Sequence, residues 1–398
     1  MFTKFYAPGS YVRHCKARAR AQYKINVEID CVSGGTIVNE HENVFGVFDG
    51  NGVFVDASRQ MRGGNCQFIP KFVADDKVPY VDSDVIYFGN VYPHFGHFLL
   101  EHMNRAWGML KNAKLAGLQI VLVNSQNINP VPKYIYDLLD AFGIQHDKII
   151  ILNETTKFRN VYVPHQSFNI PCYYADEFAN PFEYMVAQTD GMSYDKIYVS
   201  RAKLTSGRTY GENGIQEIFA KNGFHIIYPE TMPLKQQISF MKNCRVLAGC
   251  AGTALHLALF MPRGGTVIQI KRNRIIKDNF DIQNMINSVK NLNSYYVAAS
   301  VEQVRTPHST RMPQIIGMTK YMKKFFDDNN FVYLPDTQIP TNAEWREYNA
   351  AINNFKATVG SPFIYKTKNL VIRLIACFII GRERRGRFRK YMKTRWCS

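Results

Sequence analysis

Three histidines, a glutamate and an arginine fall within GNVYPHFGHFLLEHMNRAW, residues 89–107. At the α-helical spacing of about 100° per residue, one face of this stretch would carry His94, His97, Glu101 and Arg105. A carboxylate one turn from an imidazole can orient that imidazole, or accept a hydrogen bond from it, as a general base requires. The stretch therefore predicts a general base made of Glu101 and His97, with either residue as the one that takes the proton. His94 and Arg105 would lie on the acceptor side, next to the substrate that loses this proton.

Other interpretations of these polar residues are open. A zinc site would need the order H-E-x-x-H or H-x-x-E-H, which turns two imidazoles toward one ion. Residues 97–102 read H-x-x-x-E-H, one residue too long, so we predict no metal site. The residues could also form a hydrogen-bonded, noncatalytic helix face at an interface between lobes. The D-x-D of Asp82 and Asp84 could suit a metal, but it precedes the strand VIYFG, which favours a turn.

A second group of residues has the chemistry to bind phosphate. Arg201 ends the apolar segment DKIYVSR, and Arg208 follows in a Gly/Ser loop. Ligands of open α/β sheets bind at the carboxyl ends of strands, and guanidinium groups match phosphate oxygens. In RVLAGCAGTALHLALF, a small-residue turn leads into a helix that starts near Gly252 and Thr253, with His256 one turn inside. Free N–H groups at such a start favour phosphate, although Gly and Ala there also allow simple close packing of helix on sheet.

Elements that would position both groups can be read from the hydrophobic periodicity. Residues 24–88 read as β-rich, with a hairpin turn at residues 49–52, Asp-Gly-Asn-Gly. Strand and helix patterns then alternate, most clearly over residues 195–271, which predicts a parallel, Rossmann-like sheet. Residues 165–194, rich in Pro, Asn and aromatics, read as a linker or cleft-lining passage. The expected domains are an acceptor-side lobe (1–180), a donor-binding lobe (181–300), a helical segment that packs back on the lobes (301–368) and a basic amphipathic tail (369–398).

The net charge of +17 is concentrated at the carboxyl end. Residues 366–398 hold eleven Lys and Arg against one Glu, and the apolar run at 369–381 is too short for the roughly 20 residues that span a bilayer. Apolar length beside dense positive charge predicts an anchor on an anionic membrane surface, whereas a core helix with a solvated end is the alternative. Because the excess charge lies in the tail, no nucleic-acid partner is expected.

The amino terminus lacks the apolar run of a signal peptide, and the eight cysteines show no C-x-x-C. We therefore expect a cytoplasmic protein with free thiols, bound peripherally to the inner face of the plasma membrane.

Residues 85–271 resemble glycosyltransferase family 61, especially its bacterial polysaccharide branch. The resemblance rests on several ordered motifs: GHFLLE (96–101), YVSR (198–201), Arg208 before Gly-Glu, GF…YPE (223–230), the helix near Gln237, and AGCAGTALHLALFMPRGGTVIQI (248–270). The chain departs from the family pattern at Ala251, where many members have His, and at Leu257, where they have Asn. His256 takes over that place in the G-T-x-x-H form of the bacterial branch.

The resemblance implies an α/β, GT-B-like fold in which two Rossmann-like lobes enclose a cleft. It also implies an inverting glycosyltransferase with no required cofactor or metal, which moves a sugar from a nucleotide-sugar donor to a polysaccharide or lipid-linked glycan acceptor of a capsule or O-antigen. Arg201, Arg208, Gly252, Thr253 and His256 would bind the donor, and Glu230, which ends the strand HIIYPE, would touch its nucleoside. The alternatives are a nonenzymatic polysaccharide-assembly or nucleic-acid-binding protein on the same scaffold, and a metal hydrolase.

Overall fold

The structure, a computed structural model, describes residues 1–40, 44–62, 65–66, 77–205, 207–273, 280–301 and 312–359. The strands in these residues are β1 (Thr3–Tyr6), β2 (Tyr23–Lys24), β3 (Ile29–Ser33), β4 (Thr36–Asn39), β5 (Phe45–Phe48), β6 (Met61–Arg62), β7 (Asn65–Cys66), β8 (Tyr80–Asn90), β9 (Gln119–Val123), β10 (Ile149–Leu152), β11 (Thr156–Pro164), β12 (Phe168–Asn169), β13 (Tyr173–Tyr174), β14 (Lys196–Val199), β15 (Thr209–Tyr210), β16 (His225–Ile227), β17 (Val246–Cys250), β18 (Thr266–Lys271), β19 (Asn293–Ala298) and β20 (Gln314–Ile315). The α-helices are α1 (Gly9–Arg20), α2 (Phe95–His97), α3 (Ala113–Ala116), α4 (Lys133–Ala141), α5 (Asn180–Ala187), α6 (Glu212–Lys221), α7 (Leu234–Met241), α8 (Phe280–Val289), α9 (Lys320–Asp328) and α10 (Asn342–Val359). A π-helix covers Phe98–His102, and 3₁₀-helices cover Asp56–Ser58, Met103–Leu110, His146–Lys148, Asp176–Ala179, Pro229–Thr231 and Thr253–Phe260.

A seven-stranded mixed sheet is built from the first half of the chain, in the order β10-β9-β8-β11-β4-β5, with β3 also paired to β11. The pairs β10–β9, β9–β8 and β8–β11 are parallel, whereas β11–β4 and β4–β5 are antiparallel. The hairpin predicted at residues 49–52 is confirmed, since the Val53 N–H donates to Asp49 Oδ1 and Phe48 bridges Phe54. The alternation expected between residues 118 and 164 appears as β9, α4, β10 and β11.

A six-stranded sheet has the order β1-β19-β18-β17-β14-β16. The pairs β14–β16, β14–β17, β17–β18 and β1–β19 are parallel. The strand and helix alternation predicted for residues 195–271 is therefore confirmed, with α6 and α7 as two of its helices. Two strands of this sheet lie outside that segment: β19 follows it, and β1, at the amino terminus, forms the edge of the sheet beside β19.

The described residues divide into two compact units. The first holds those of residues 1–199, 223–270 and 276–297, and the second those of residues 200–222, 271–275 and 298–398. Both large sheets lie in the first unit, apart from the last residues of β18 and β19. The domain boundary predicted at residue 180 falls between the two sheets inside this unit, and it stays a prediction.

The passage expected to be a linker, residues 165–194, is instead part of the core. Phe168, Phe178 and Phe182 are each 0% exposed, and they pack in one hydrophobic cluster with residues of both sheets. The rings of Phe168 and Phe178 stack with centroids 4.2 Å apart. The linker alternative was wrong, since only Pro171 lies in a turn, whereas Asn169 belongs to β12 and Asn180 and Pro181 begin α5. The cleft-lining alternative stays a prediction.

The second unit contains α6, α9, α10 and the short β15–β20 pair. Tyr210, Ile315 and Tyr348 form part of its own buried cluster, and α9 and α10 confirm the helical pieces predicted after residue 300. The predicted tail, residues 369–398, lies outside the described residues. Among the residues that are described, no helix has the length and apolar character needed to cross a membrane. Cysteines 15, 31, 172, 244 and 250 are free thiols.

Candidate active site

Residues 95–110 form three kinds of helix in succession and not the single α-helix that the spacing predicted. The three-residue α2 leads into the π-helix Phe98–His102, which continues as the 3₁₀-helix Met103–Leu110. A π turn takes up more residues per turn than an α turn and a 3₁₀ turn fewer, so the angular positions of residues after His97 differ from those of a regular α-helix. Every residue from Phe98 to Met109 is buried. The polar side chains here are therefore not a solvated face.

Glu101 and His97 form the predicted pair. His97 Nδ1 lies 3.2 Å from Glu101 Oε2, and the Glu101 side chain is 7% exposed against 24% for His97. A third group joins them, since Arg62 Nε lies 3.3 Å from Glu101 Oε1. Burial pushes the pKa of Glu101 upward, but the hydrogen bond with His97 and the charge of Arg62 outweigh burial, so the pKa is lowered overall. Glu101 is therefore a carboxylate at neutral pH.

This ionised state fixes the tautomer of His97. A carboxylate can only accept hydrogen bonds, so His97 Nδ1 must carry the hydrogen that lies between it and Glu101 Oε2. The neutral ring then has its lone pair on Nε2. Because His97 is the more exposed partner, the geometry favours His97 Nε2 as the proton acceptor and Glu101 as the group that orients it.

Two further side chains line the approach to His97. The ring of Tyr92 meets His97 edge-on at 5.2 Å between centroids, and the ring of His94 does so at 4.8 Å. Partial burial lowers the pKa of His94, and the charge of His97 lowers it further. His94 therefore adds a neutral, polar ring beside the pair, as an acceptor-side residue would.

His102 and Arg105 are buried, and both form hydrogen bonds with backbone groups. His102 Nδ1 accepts a hydrogen bond from the Asn90 N–H at 3.3 Å, and burial lowers its pKa to about 4. Arg105 is 0% exposed, and its guanidinium donates to the carbonyls of Ala57, Arg59 and Pro164. These carbonyls surround the Arg105 guanidinium in the interior, and its role on the side of the glycan acceptor stays a prediction.

The start of the helix at Thr253 lies against α2. A Cβ placed on Gly96 would be 2.7 Å from Thr253 Cγ2, so only glycine fits at this approach. Gly252 has φ 157° and ψ 178°, a combination that glycine alone adopts readily. Since β8 leads to Gly96 and β17 leads to Gly252, the carboxyl ends of one parallel strand from each sheet converge here.

His256 stands one turn into that 3₁₀-helix and is buried. Gln283 Nε2 donates to Asn287 Oδ1 at 3.0 Å, which leaves Gln283 Oε1 to accept from His256 Nδ1 at 3.2 Å. Burial lowers the pKa of His256 to about 4, and the fields of His97 and His94 act in the same direction. His256 is therefore a neutral imidazole near the His94–His97 cluster, with its lone pair on Nε2.

The other predicted donor residues are Arg201, Arg208 and Glu230. Arg201 and Arg208 belong to the second unit, and their role stays a prediction. The Arg201 N–H donates to Glu212 Oε1 at 3.0 Å, and its buried Nε has no hydrogen-bond partner among the residues that the structure describes. Arg208 pairs with Glu347 at 3.4 Å and lies over the ring of Tyr210. Glu230, in the first unit, is exposed in the 3₁₀-helix Pro229–Thr231.

The D-x-D residues do not form the predicted turn. Both lie inside β8, and Asp84 accepts hydrogen bonds from Arg159 Nε and Asn160 Nδ2, each at 2.8 Å. The turn prediction was wrong because β8 pairs with β11 up to Tyr80, beyond the apolar part of the strand. Within the described residues, no three or more His, Cys, Asp or Glu side chains come together as metal ligands.

Arg62 is the site residue that the sequence did not reveal. It lies on β6, outside the motif-bearing segments, and nothing in RQMRGG (59–64) distinguishes it from a solvated arginine. Its place in the site is seen from its tertiary contact with Glu101.

Ligands of open α/β sheets bind outside the carboxyl ends of the strands, and a helix start at such a place suits an anionic group. Residues 95–268 match the model of the family described as Glycosyltransferase 61. The match covers less than half of the chain and supports a glycosyltransferase. The family implies a nucleotide-sugar donor and a glycan acceptor. The match includes His97, Glu101, Thr253 and His256 but not Arg62. No curated protein matches the chain.

Proposed function

We propose that this protein is an inverting, metal-independent glycosyltransferase with a GT-B arrangement, in which the seven-stranded and six-stranded sheets are the two Rossmann-like lobes. It would transfer a sugar from a nucleotide-sugar donor to a polysaccharide or lipid-linked glycan of a bacterial capsule or O-antigen. Residues 369–398 would hold it on the cytoplasmic face of the membrane, where lipid-linked acceptors lie.

One observation supports the proposal above others, the contact of Gly96 with Thr253. It brings the start of the helix at Thr253 to the segment that carries His97 and Glu101, although these segments lie near opposite ends of the family match. A base and a phosphate-binding helix start must be close if an acceptor hydroxyl is to attack a sugar held by its diphosphate.

In the proposed reaction, the acceptor oxygen attacks the anomeric carbon from the side opposite the nucleotide. His97 Nε2 takes the hydroxyl proton while the new C–O bond forms and the bond from carbon to the phosphate oxygen breaks. Glu101 stabilises the imidazolium that results. The nucleotide leaves with the bonding electron pair, and N–H groups at Gly252 and Thr253 would receive its charge. Arg201, Arg208, His256 and Glu230 stay proposed donor residues on the grounds of sequence.

The test is transfer and donor hydrolysis by the purified full-length chain with a panel of nucleotide sugars, with and without a chelator. We expect turnover of at least one donor that EDTA does not abolish. Glu101→Gln and His97→Gln should each lower kcat/KM by about 10²- to 10⁴-fold, the usual contribution of a general base.

A matched control exists on the surface, where His146 Nε2 lies 3.4 Å from Asp140 Oδ2. His146→Gln removes an imidazole from a similar pair and should leave turnover unchanged. Near-normal turnover by Glu101→Gln would remove the proposed pair from the mechanism, and loss of activity in EDTA would contradict metal independence. If the protein used none of the nucleotide sugars, the proposal that it is a glycosyltransferase would be contradicted.

A further inference from the structure

Arg62 reaches Glu101 on a segment that is fixed at several points. We call residues 57–62 the strap. The buried guanidinium of Arg105 holds its first part by donating to the carbonyls of Ala57 and Arg59, at 2.8 and 3.1 Å. Further along, Gln60 Nε2 donates to the Glu101 carbonyl at 2.9 Å.

The residue next to Arg62 is held on both its backbone groups. The Met61 N–H donates to Gln166 Oε1, and Gln166 Nε2 donates to the Met61 carbonyl, both at 2.9 Å. Gln166 itself is 4% exposed. The position of Arg62 beside Glu101 is thus set by several partly buried hydrogen bonds and does not depend on the flexible arginine side chain alone.

The contact of Arg62 fills a gap in the surroundings of Glu101. Oε2 bonds to His97, whereas Oε1 is buried and has no hydrogen bond within the described chain. Arg62 Nε, 3.3 Å away, is the nearby cation that balances this oxygen. A buried carboxylate oxygen with neither partner nor counter-charge would be costly.

We propose that Arg62 is a positioning residue for the reaction, which keeps Glu101 ionised and aimed at His97, and that the strap is the device that places it. This inference rests on the proposed function of the Glu101–His97 pair. Half of the Arg62 side chain is exposed, at 52%, so its field is partly screened by solvent. It acts through Glu101 and makes no bond in the reaction.

The direction of the effect follows from the groups that face Glu101. Burial raises the pKa of Glu101, whereas the hydrogen bond with His97, from α2, and the charge of Arg62, from β6, lower it. His97 and His102, when protonated, would lower it further. Removing the Arg62 cation therefore raises the pKa of Glu101 and favours a proton on the pair. The active, deprotonated form then persists only at higher pH.

The first test is the pH profile of kcat/KM for Arg62→Gln and Arg62→Lys in the full-length chain. For Arg62→Gln we expect the acid limb to move up by about 1 pH unit, with roughly tenfold lower kcat/KM below that limb and near-normal values above it. Arg62→Lys should restore most of the shift, because it keeps the positive charge. Arg13→Gln, which removes an exposed arginine from α1, is the control and should leave the profile unchanged.

A second measurement needs no catalysis. Titration of the ¹³C-labelled carboxyl of Glu101 by NMR, assigned with Glu101→Gln, should show a higher pKa in Arg62→Gln than in the unmutated protein. Identical titrations would overturn the role of Arg62 whether or not the protein transfers sugar. A shifted titration together with full activity of Glu101→Gln would instead overturn the proposed function and leave the electrostatic coupling in place. An acid limb that Arg62→Gln does not move, with a shifted titration, would exclude Arg62 from the reaction.

Discussion

At the scale of single residues, the polar side chains of residues 89–107 divide by burial and partner, and not by type. His97 is partly exposed and pairs with the buried Glu101, whereas His102 and Arg105 are buried and bonded to backbone atoms. The spacing alone did not show which of these side chains would be buried. The sequence could predict the Glu101–His97 contact because it is local, at i and i+4. It could not predict the contact of Arg62 with Glu101, because that contact depends on how the strap crosses the helix.

Arg105 gives a prediction about stability. Arg105→Met should lower the free energy of unfolding by at least about 3 kcal/mol, because the carbonyls of Ala57, Arg59 and Pro164 lose a charged donor in a dry interior. Arg105→Lys should recover little of this, since an ammonium lacks the planar fork that reaches separate carbonyls. Denaturant unfolding measures both. If the variants instead changed the KM for the acceptor substrate at unchanged stability, a role of Arg105 in acceptor binding would be supported.

At the scale of elements, the π-helix Phe98–His102 is the feature that the periodicity missed. Single π turns occur often at functional sites, and here one contains Glu101 and directly follows His97. Hydrophobic spacing specifies a helix of about 3.6 residues per turn only on average, so it gave the existence of this helix and not its local winding. The strands from 195 to 271 were predictable because each is a short apolar run bounded by turn residues.

The contact of α2 with the helix at Thr253 can be tested at Gly96. A methyl group there would lie 2.7 Å from Thr253 Cγ2, so Gly96→Ala should push the two segments apart by a few tenths of an ångström or more. We expect a loss of 10²-fold or so in kcat/KM, because small displacements of reacting groups have large effects on rate.

Gly117→Ala is the control for this change. Its Cβ would meet only the carbonyls of Lys114 and Ala113, at 3.6 and 3.7 Å, which is ordinary contact. Both variants are compared by steady-state kinetics and by thermal unfolding. Wild-type activity in Gly96→Ala would mean that the contact is not needed for transfer.

At the scale of the whole molecule, two buried histidines predict how stability responds to acid. Burial lowers the pKa values of His102 and His256 from 6.5 to about 4. Between these pH values the unfolded chain binds protons that the folded chain does not, so stability is complete above about pH 6.5 and is lost as the pH falls toward 4. Each imidazole accounts for about 3 kcal/mol by pH 4.

The measurement is the free energy of unfolding in urea from pH 7 to pH 4. His256→Gln should make this pH dependence shallower, because it removes one of the two buried imidazoles. An equal slope in the unmutated protein and in His256→Gln would contradict the assignment of these buried imidazoles as the acid-sensitive groups.

The burial of residues 165–194 also could not be predicted from the sequence. Residues 165–194 resembled a connection in their composition, yet Phe168, Phe178 and Phe182 lie in the core shared by both sheets. Composition reports what a segment contains, whereas burial depends on where its neighbours bring it. The alternating segments were assigned correctly because periodicity is a property of the segment itself.

The pairing of β1 with β19 has a practical consequence for anyone who would trim this protein. A fragment cut at the limits of the family match, residues 95–268, would lack β1, β8 and β19 as well as the strap. Both sheets would then expose strand edges without hydrogen-bonded neighbours, which favour aggregation. Glu101 would also no longer have Arg62 beside it. The residues of the family match and those of the smallest fragment able to fold are therefore not the same. A fragment made for expression should include residue 1 onward.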